Sequence, residues 1–284
     1  MTSSTHPNSI VEVFEQAAAS YDRTGVSYFE PFGTALVGCA GILPGERVLD
    51  VGCGRGAVLL PAAAATGPTG HVTGIDLAPT MVKLTADDAT RAGLTQVEVR
   101  VGDAQQPSFP PHSFDVVLAG MVVFLLPEPE QALRAYARLL RPTGRLVVST
   151  PRTYDPAFLA AMDALAAHLP AEQPPPASTA GPFDDEQTIT ATMAAAGLDV
   201  AAISEHRVES RFQDVDHWMR WMWSHGGRAL LQHLPADRLD AATADAARVL
   251  ASVRAPEGDL TLTTVARITS AVPRPGGPAP AAAL

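Results

Sequence analysis

Val48-Leu49-Asp50-Val51-Gly52-Cys53-Gly54-Arg55-Gly56 is the stretch that decides the fold of this 284-residue chain. An apolar strand runs into a tight glycine turn, and a further apolar run, Ala57 to Ala65, follows directly. At the expected end of the next strand, Gly74-Ile75-Asp76 supplies a carboxylate. Backbone without Cβ atoms can turn sharply and let a ligand approach within van der Waals distance. The helix opening after Gly56 presents unpaired N–H groups and a partial positive charge, suited to a carboxylate or phosphate. Asp76 is able to accept both hydroxyls of a ribose, so the pattern reads as a nucleoside-sized pocket on a parallel sheet.

A regular alternation extends from this stretch. Upstream, Ile10 to Ala19 reads as a short helix, Tyr21 to Phe32 as an aromatic, glycine-containing segment, and Thr34 to Ala40 as a second helix before the Pro44-Gly45 turn. Strands are expected at Arg47 to Val51, His71 to Ile75, Val97 to Val101, Phe114 to Ala119 and Gly144 to Ser149. Helices fall between them at Gly56 to Thr66 (with Pro61 inside), Pro79 to Ala92 and Pro129 to Leu140. Such alternation predicts an α/β fold whose parallel sheet is covered on both faces, with right-handed crossovers. Composition then shifts. Pro170 to Pro182 reads as a surface crossing, Asp184 to Ala196 as a helix, Val200 to Phe212 as a strand, and Asp216 to His225 as a tryptophan-rich helix. A helix over Ala236 to Val253 and a strand over Leu260 to Ile268 complete the pattern. The division expected is an N-terminal helical lid (1–40), a main domain (41–272) carrying a substrate-binding insertion at about 151–255, and a tail (273–284).

The glycine spacing separates ligand classes. Gly-x-Gly-x-Gly departs from the dinucleotide fingerprint Gly-x-Gly-x-x-Gly, which disfavours a nicotinamide-dependent reductase. No Gly-Lys-Ser/Thr is present, which disfavours a nucleotide hydrolase. What the chain resembles is the class I S-adenosylmethionine-dependent methyltransferases, in particular the small-molecule branch that includes the ubiquinone and menaquinone enzymes. The match runs from Arg47 to Val148 and comprises the opening stretch, Gly74-Ile75-Asp76, Gly102-Asp103-Ala104, Phe114-Asp115-Val116-Val117, and Leu139-Leu140-Arg141-Pro142-Thr143-Gly144-Arg145-Leu146.

That resemblance implies a Rossmann-like, seven-stranded methyltransferase sheet whose last strand, Leu260 to Ile268, is antiparallel. It also implies S-adenosylmethionine as cofactor. Gly52, Cys53, Gly54 and Gly56 would line the methionine end, Asp76 would hold the ribose with Leu77 beside it, and Asp103 would meet the adenine amine with Ala104 beside the ring. Asp50 would organise the glycine loop or meet the ligand's ammonium through water. For Asp50 and Asp115 the plainer alternative is that each caps a turn. Two positions depart from the branch: Phe124 and Leu125 stand where one or two histidines often precede Leu-Pro, and Thr143 stands where glycine is usual. The first change makes that wall apolar and removes an obvious base.

Methyl transfer from a sulfonium needs alignment and exclusion of water, and for some acceptors a base. Lid candidates are the N-terminal aromatics, including Tyr21, Tyr28 and Phe29, and a face formed by Trp218, Trp221, Met222 and His225 at helical spacing. His225 or the neighbouring His217 is the candidate general base, and these aromatics with Phe124 are candidate substrate contacts. The alternative for the tryptophan face is packing within a helix bundle or a homodimer contact.

Composition agrees with a small-molecule enzyme. With 46% hydrophobic and 18% charged residues the chain can bury a core. Its formal net charge of −10 and singly scattered arginines argue against a nucleic-acid partner. The two cysteines, Cys39 and Cys53, fit a reducing compartment and do not form a metal-binding spacing. Residues 1–9 lack a signal-peptide pattern and Val116 to Leu126 is too short to cross a bilayer, which predicts a cytoplasmic protein. High alanine and proline, with Lys83 the only lysine, point to a GC-rich bacterial genome and a tailoring role in natural-product biosynthesis. The expected activity is methylation of a small, partly hydrophobic metabolite at oxygen. Methylation at carbon or nitrogen, and a non-catalytic binding protein retaining the fold, are the alternatives.

Overall fold

A computed structural model of the chain describes residues 10–170, 181–256 and 258–275. Residues 1–9 of the expected lid, most of the Pro170 to Pro182 crossing and the tail from 276 onward lie outside the described residues. The helices are α1 (Ile10–Ala17), α2 (Phe29–Ala40), α3 (Leu59–Thr66), α4 (Pro79–Arg91), α5 (Pro129–Leu139), α6 (Pro156–Ala166), α7 (Glu186–Ala195), α8 (Val215–Trp223), α9 (Arg228–Leu231) and α10 (Leu239–Leu250). The strands are β1 (Arg47–Val51), β2 (His71–Asp76), β3 (Val97–Val101), β4 (Phe114–Gly120), β5 (Leu140–Tyr154), β6 (Leu198–Phe212) and β7 (Leu260–Pro273).

The strands form one seven-stranded Rossmann-like sheet in the order β3-β2-β1-β4-β5-β7-β6, with its last strand antiparallel. β1 pairs in parallel with both β2 and β4, and β3 and β5 extend the parallel block outward on either side. The chain moves outward through β1, β2 and β3, then returns to place β4 on the other side of β1. In open α/β sheets this reversal opens a crevice at the carboxyl ends of the strands, where ligands bind. The alternation of side chains explains why β1 and β4 are buried on both faces. Leu49, Val51, Val117 and Ala119 enter one core with Tyr136 and Leu133 of α5. Val48, Val116 and Leu118 enter the other with Leu36, Leu59 and Ala62 of α2 and α3.

The described chain divides into two compact units. The larger comprises 29–152, 181–206 and 265–275; the smaller comprises 10–28, 153–170, and 207–264 without residue 257. Of the expected lid, Phe29–Ala40 thus belongs to the larger unit, as does the 181–206 part of the expected insertion.

Several boundaries differ from the sequence expectation for identifiable reasons. α2 begins at Phe29, five residues early, because Pro31 falls in the first turn, where its missing N–H costs nothing. Gly33 inside α2 permits a close approach: a Cβ there would lie 2.0 Å from the Ala57 carbonyl oxygen. α3 starts at Leu59 because Gly56, at φ +84°, is left-handed and stands outside the helix. Pro61 then sits in its first turn. β5 runs well beyond Gly144–Ser149, with a register shift opposite Phe114 and Val116 that absorbs Arg141 to Gly144. α6 and α9 were not expected. α6 is apolar but for Asp163, so its sequence shows little of a helical stripe, although Asp155 caps it by accepting the Ala157 N–H.

Candidate active site

At the carboxyl end of β1 the chain makes three left-handed glycines: Gly52 (φ +67°), Gly54 (φ +48°) and Gly56 (φ +84°). A Cβ on Gly52 would meet Val122 Cγ2 at 2.6 Å, so the segment after β4 closes directly onto the first glycine. A Cβ on Gly74 of β2 would lie 2.9 Å from Leu59 and 3.0 Å from the Cys53 sulfur, which fixes glycine in that strand. The Cys53 N–H donates to the Ile75 carbonyl at 2.9 Å and seats the loop on β2.

Two acids stand at this bend. Asp76, at the end of β2, accepts the Gly54 N–H at 2.8 Å through Oδ2 and the Ala78 N–H at 2.9 Å through Oδ1. Asp50 is 1% exposed. It accepts a backbone hydrogen bond from Leu59 at the start of α3, while its Oδ2 is enclosed with no hydrogen-bond partner among the described residues. Burial, and then the nearby Asp76 charge, raise the Asp50 carboxyl well above the usual carboxylate range. The same causes, burial first and then Asp50 and Asp76, push the Cys53 thiol up, leaving it a protonated, inert wall. Asp115 lies at the other end of its strand, where it accepts the Arg47 N–H at 2.8 Å and pairs with Arg141 at 2.6 Å, so it is a cap.

The β3 loop completes the cradle. Asp103 Oδ1 accepts the Gln105 N–H at 2.7 Å, and the Ala104 carbonyl accepts the Tyr136 hydroxyl at 2.7 Å. Gln105 pairs with the backbone of Glu128 at 2.8 and 3.0 Å, tying this loop to the start of α5. Leu77 (42%) and Val101 (55%) are exposed apolar side chains at the ends of β2 and β3. They offer an apolar surface of the kind a purine ring covers. A buried acid lacking one partner, a glycine cradle, a strand-end carboxylate and an apolar ledge together fit a cationic amino-acid nucleoside. After β4, Met121 adopts φ +54° and donates its N–H to Ser149, and Phe124 packs half-buried against the core of the larger unit. Sequence reading missed Met121, Gln105 and Tyr136. The one signal available was their position just after strand ends or on the helix facing them.

The expected lid residues lie in the smaller unit, apart from Phe29 and Phe124. Trp218 and Met222 are fully buried, and Trp221 is enclosed by Tyr28, Phe212 and Phe158 at ring separations of 5.1, 5.3 and 6.3 Å. Tyr21 packs edge-on against Phe14 at 6.1 Å. These rings fill the unit's own interior, so the tryptophan face is a core. α8 ends at Trp223, with Ser224 as its C-cap, so His225 lies beyond the helix and meets Trp221 at 4.2 Å after the turn.

Neither histidine has the geometry of a base. His217 Nδ1 accepts the Gln213 N–H at 3.3 Å and Nε2 donates to the Thr24 carbonyl at 2.8 Å, so both ring nitrogens bind backbone. His225 Nδ1 accepts the Gly227 N–H at 3.1 Å, which puts the proton of the neutral ring on the enclosed Nε2. Burial lowers its pKa to about 3. Among the described residues no cluster of His, Cys, Asp or Glu has metal-ligand geometry, and no helix is long and apolar enough to cross a membrane.

Fold and cradle together define a nucleoside-binding enzyme of the doubly wound type, and comparison with known proteins gives the family. Residues 42–222 match the family model described as a methyltransferase domain. Nocamycin O-methyltransferase of Saccharothrix syringae is 38% identical over 283 residues, covering 94% of this chain and 100% of that protein. Aklanonic acid methyltransferase DauC of Streptomyces sp. (strain C5) is 42% identical over 151 residues, 53% of this chain and 69% of that protein. The crystal structure of YcgJ from Bacillus subtilis shares the fold at a TM-score of 0.58 and 18% identity, covering 86% of this chain and 99% of that one. The chain belongs to the class I S-adenosylmethionine-dependent methyltransferases. Within them it is related to O-methyltransferases of small-molecule biosynthesis, and it acts on a small metabolite.

Proposed function

We propose that the protein methylates the oxygen of an acidic natural-product precursor, one that is already ionised at neutral pH, such as a carboxylic acid. The donor, when bound, supplies a sulfonium-activated methyl group for in-line displacement. Asp50 would meet its ammonium and Gly52, Cys53, Gly54 and Gly56 would line its methionine end. Asp76 would accept the ribose hydroxyls, Leu77 would cover the ring, and Asp103 with Ala104 would receive the adenine. The buried, half-satisfied carboxyl of Asp50 is the observation that carries this assignment.

The acceptor class follows from proton bookkeeping. A phenol of pKa near 10 would have to pass its proton to a base, and His225, at about 3, is some seven pH units too weak for it. His217 has no free ring nitrogen. A carboxylate needs no proton removed, and alignment with exclusion of water suffices. Two relatives favour the same reading, one named as an O-methyltransferase and the other as acting on an acid.

The test is turnover with donor on paired substrates: a polyketide carboxylic acid, its methyl ester, and a phenol lacking the acid. A new mass of one methyl on the acid only, removed again by mild alkali as an ester is, supports the proposal. Methylation of the phenol and the pre-formed ester, with none on the acid, refutes it.

A further inference from the structure

Thr85 is a buried threonine in the middle of α4 whose hydroxyl, like that of Thr66 at the end of α3, bonds outside its own helix. Thr90, Thr190 and Thr243 each donate to the carbonyl four residues back, at 2.9, 2.7 and 2.8 Å. That is the usual recourse of a threonine inside a helix. Thr85 instead donates across the structure to the Gly54 carbonyl at 2.7 Å, thirty-one residues away in sequence. Its methyl group lies 3.2 Å from where a Gly56 Cβ would be, so one side chain holds one glycine of the loop and packs on the next. Gly54 is therefore fixed on both sides: its N–H donates to Asp76 Oδ2 at 2.8 Å and its carbonyl accepts from Thr85.

One turn along α4, Asp88 takes the intervening residue of the loop. Arg55 is only 8% exposed and its guanidinium donates to Asp88 at 2.7 Å, while Arg91 also pairs with Asp88. Burial alone would push the Asp88 carboxyl up; the hydrogen bonds from Arg55 and Arg91 outweigh it and hold the acid below its usual range. Removing one partner of a buried pair leaves an uncompensated charge, so this contact is stringent about geometry.

We propose that Thr85 is a positioning residue of the donor site. From α4 it clamps the left-handed Gly54, and so sets where the Asp76 carboxylate and the loop stand before the donor arrives. The proposal rests on the glycine bend being the donor site, and the experiment separates the two. Dissociation constants for S-adenosylhomocysteine are measured by calorimetry for wild type, Thr85→Val, Thr85→Ser and Asp76→Ala, with melting temperatures and steady-state KM and kcat alongside.

Thr85→Val should weaken binding about tenfold, the loss of one buried hydrogen bond and its preorganisation. KM for the donor should rise in step while kcat stays within about twofold. Thr85→Ser, which keeps the hydroxyl, should restore affinity. A merely structural threonine would lower the melting temperature and leave affinity unmoved. Wild-type affinity in Thr85→Val beside weak binding in Asp76→Ala overturns the clamp. Wild-type affinity in both overturns the site assignment beneath it. Should Thr85→Val fail to fold, Thr85→Ala, which only removes atoms, is read by the same criteria.

Discussion

Asp50→Asn is the most discriminating perturbation of the donor site. The carboxyl is buried, accepts one N–H from Leu59, and presents its other oxygen to no partner among the described residues. Burial and the neighbouring Asp76 keep its proton on above the usual carboxylate range. A bound ammonium reverses that balance, because an opposite charge within hydrogen-bond distance favours the ionised acid. Donor binding should therefore release up to one proton. Below the raised pKa, affinity should fall about tenfold per pH unit, equivalent to about 1.4 kcal/mol. Asparagine keeps the shape and the Leu59 contact but loses the charge-assisted bond, a loss of about 1.5–3 kcal/mol or roughly 10- to 150-fold in Kd.

The sign for stability is opposite. An acid whose folded pKa is raised favours folding at low pH and withdraws that contribution as pH rises from the unfolded value through the folded one. Ligand-free Asp50→Asn should then melt no lower than wild type above pH 7, although it binds the donor worse. Calorimetric titration of S-adenosylhomocysteine in buffers of different ionisation enthalpy counts the protons directly. Wild-type affinity in the variant, together with no buffer dependence in the wild type between pH 5.5 and 8, would refute the reasoning.

Other outcomes are expected as well. Asp76→Ala should weaken donor binding by about 2 kcal/mol or more through loss of its charge-assisted hydrogen bonds, read as a rise in Kd by calorimetry. His225, lowered to about 3 by burial, stays neutral while the unfolded chain takes up a proton near pH 6.5, so it withdraws stability as pH falls. From pH 6.5 to 4 the loss is at most about 3 kcal/mol, and urea titrations of His225→Gln should show a correspondingly flatter acid limb. Turnover of that variant should keep the wild-type pH profile, and a lost ascending limb would restore the histidine as a base. Glu46 is held low chiefly by its hydrogen bonds from Arg145, at 2.9 and 2.8 Å, so its contribution is present above the unfolded pKa and disappears as pH falls through the folded one. Glu46→Gln should cost about 2 kcal/mol at pH 7, seen as a drop of several degrees in Tm that shrinks as pH falls below the ordinary glutamate range.

The parallel block was readable because each part of it leaves a local mark. Apolar runs of five or six residues, glycines where φ turns positive, and Asp76 at a strand end all follow from the steric demands of the strand-to-helix turn. Boundaries failed where those marks were ambiguous. Pro31 and Gly33 disguise the start of α2, and Ala157 to Ala166, apolar but for Asp163, gives α6 little face to detect. The lid aromatics were legible as a cluster but not as to what they enclose: spacing puts Trp218 and Trp221 on one side of α8 and leaves open whether that side meets a ligand or other rings. The histidines show the same limit, since a ring nitrogen's partner, Thr24 for His217 and Gly227 for His225, comes from distant or turned backbone. Thr85 reads as an ordinary helical residue until Gly54 is beside it.

Gly33 extends the site's influence to a place no ligand reaches. With the Ala57 carbonyl occupying the room where any side chain would begin, α2 and the residue just after the glycine bend are in effect moulded to each other. In a saturation library, codon 33 should therefore tolerate almost nothing, in the manner of a binding residue. Directed evolution toward new acceptors would do well to leave it out of the randomised set.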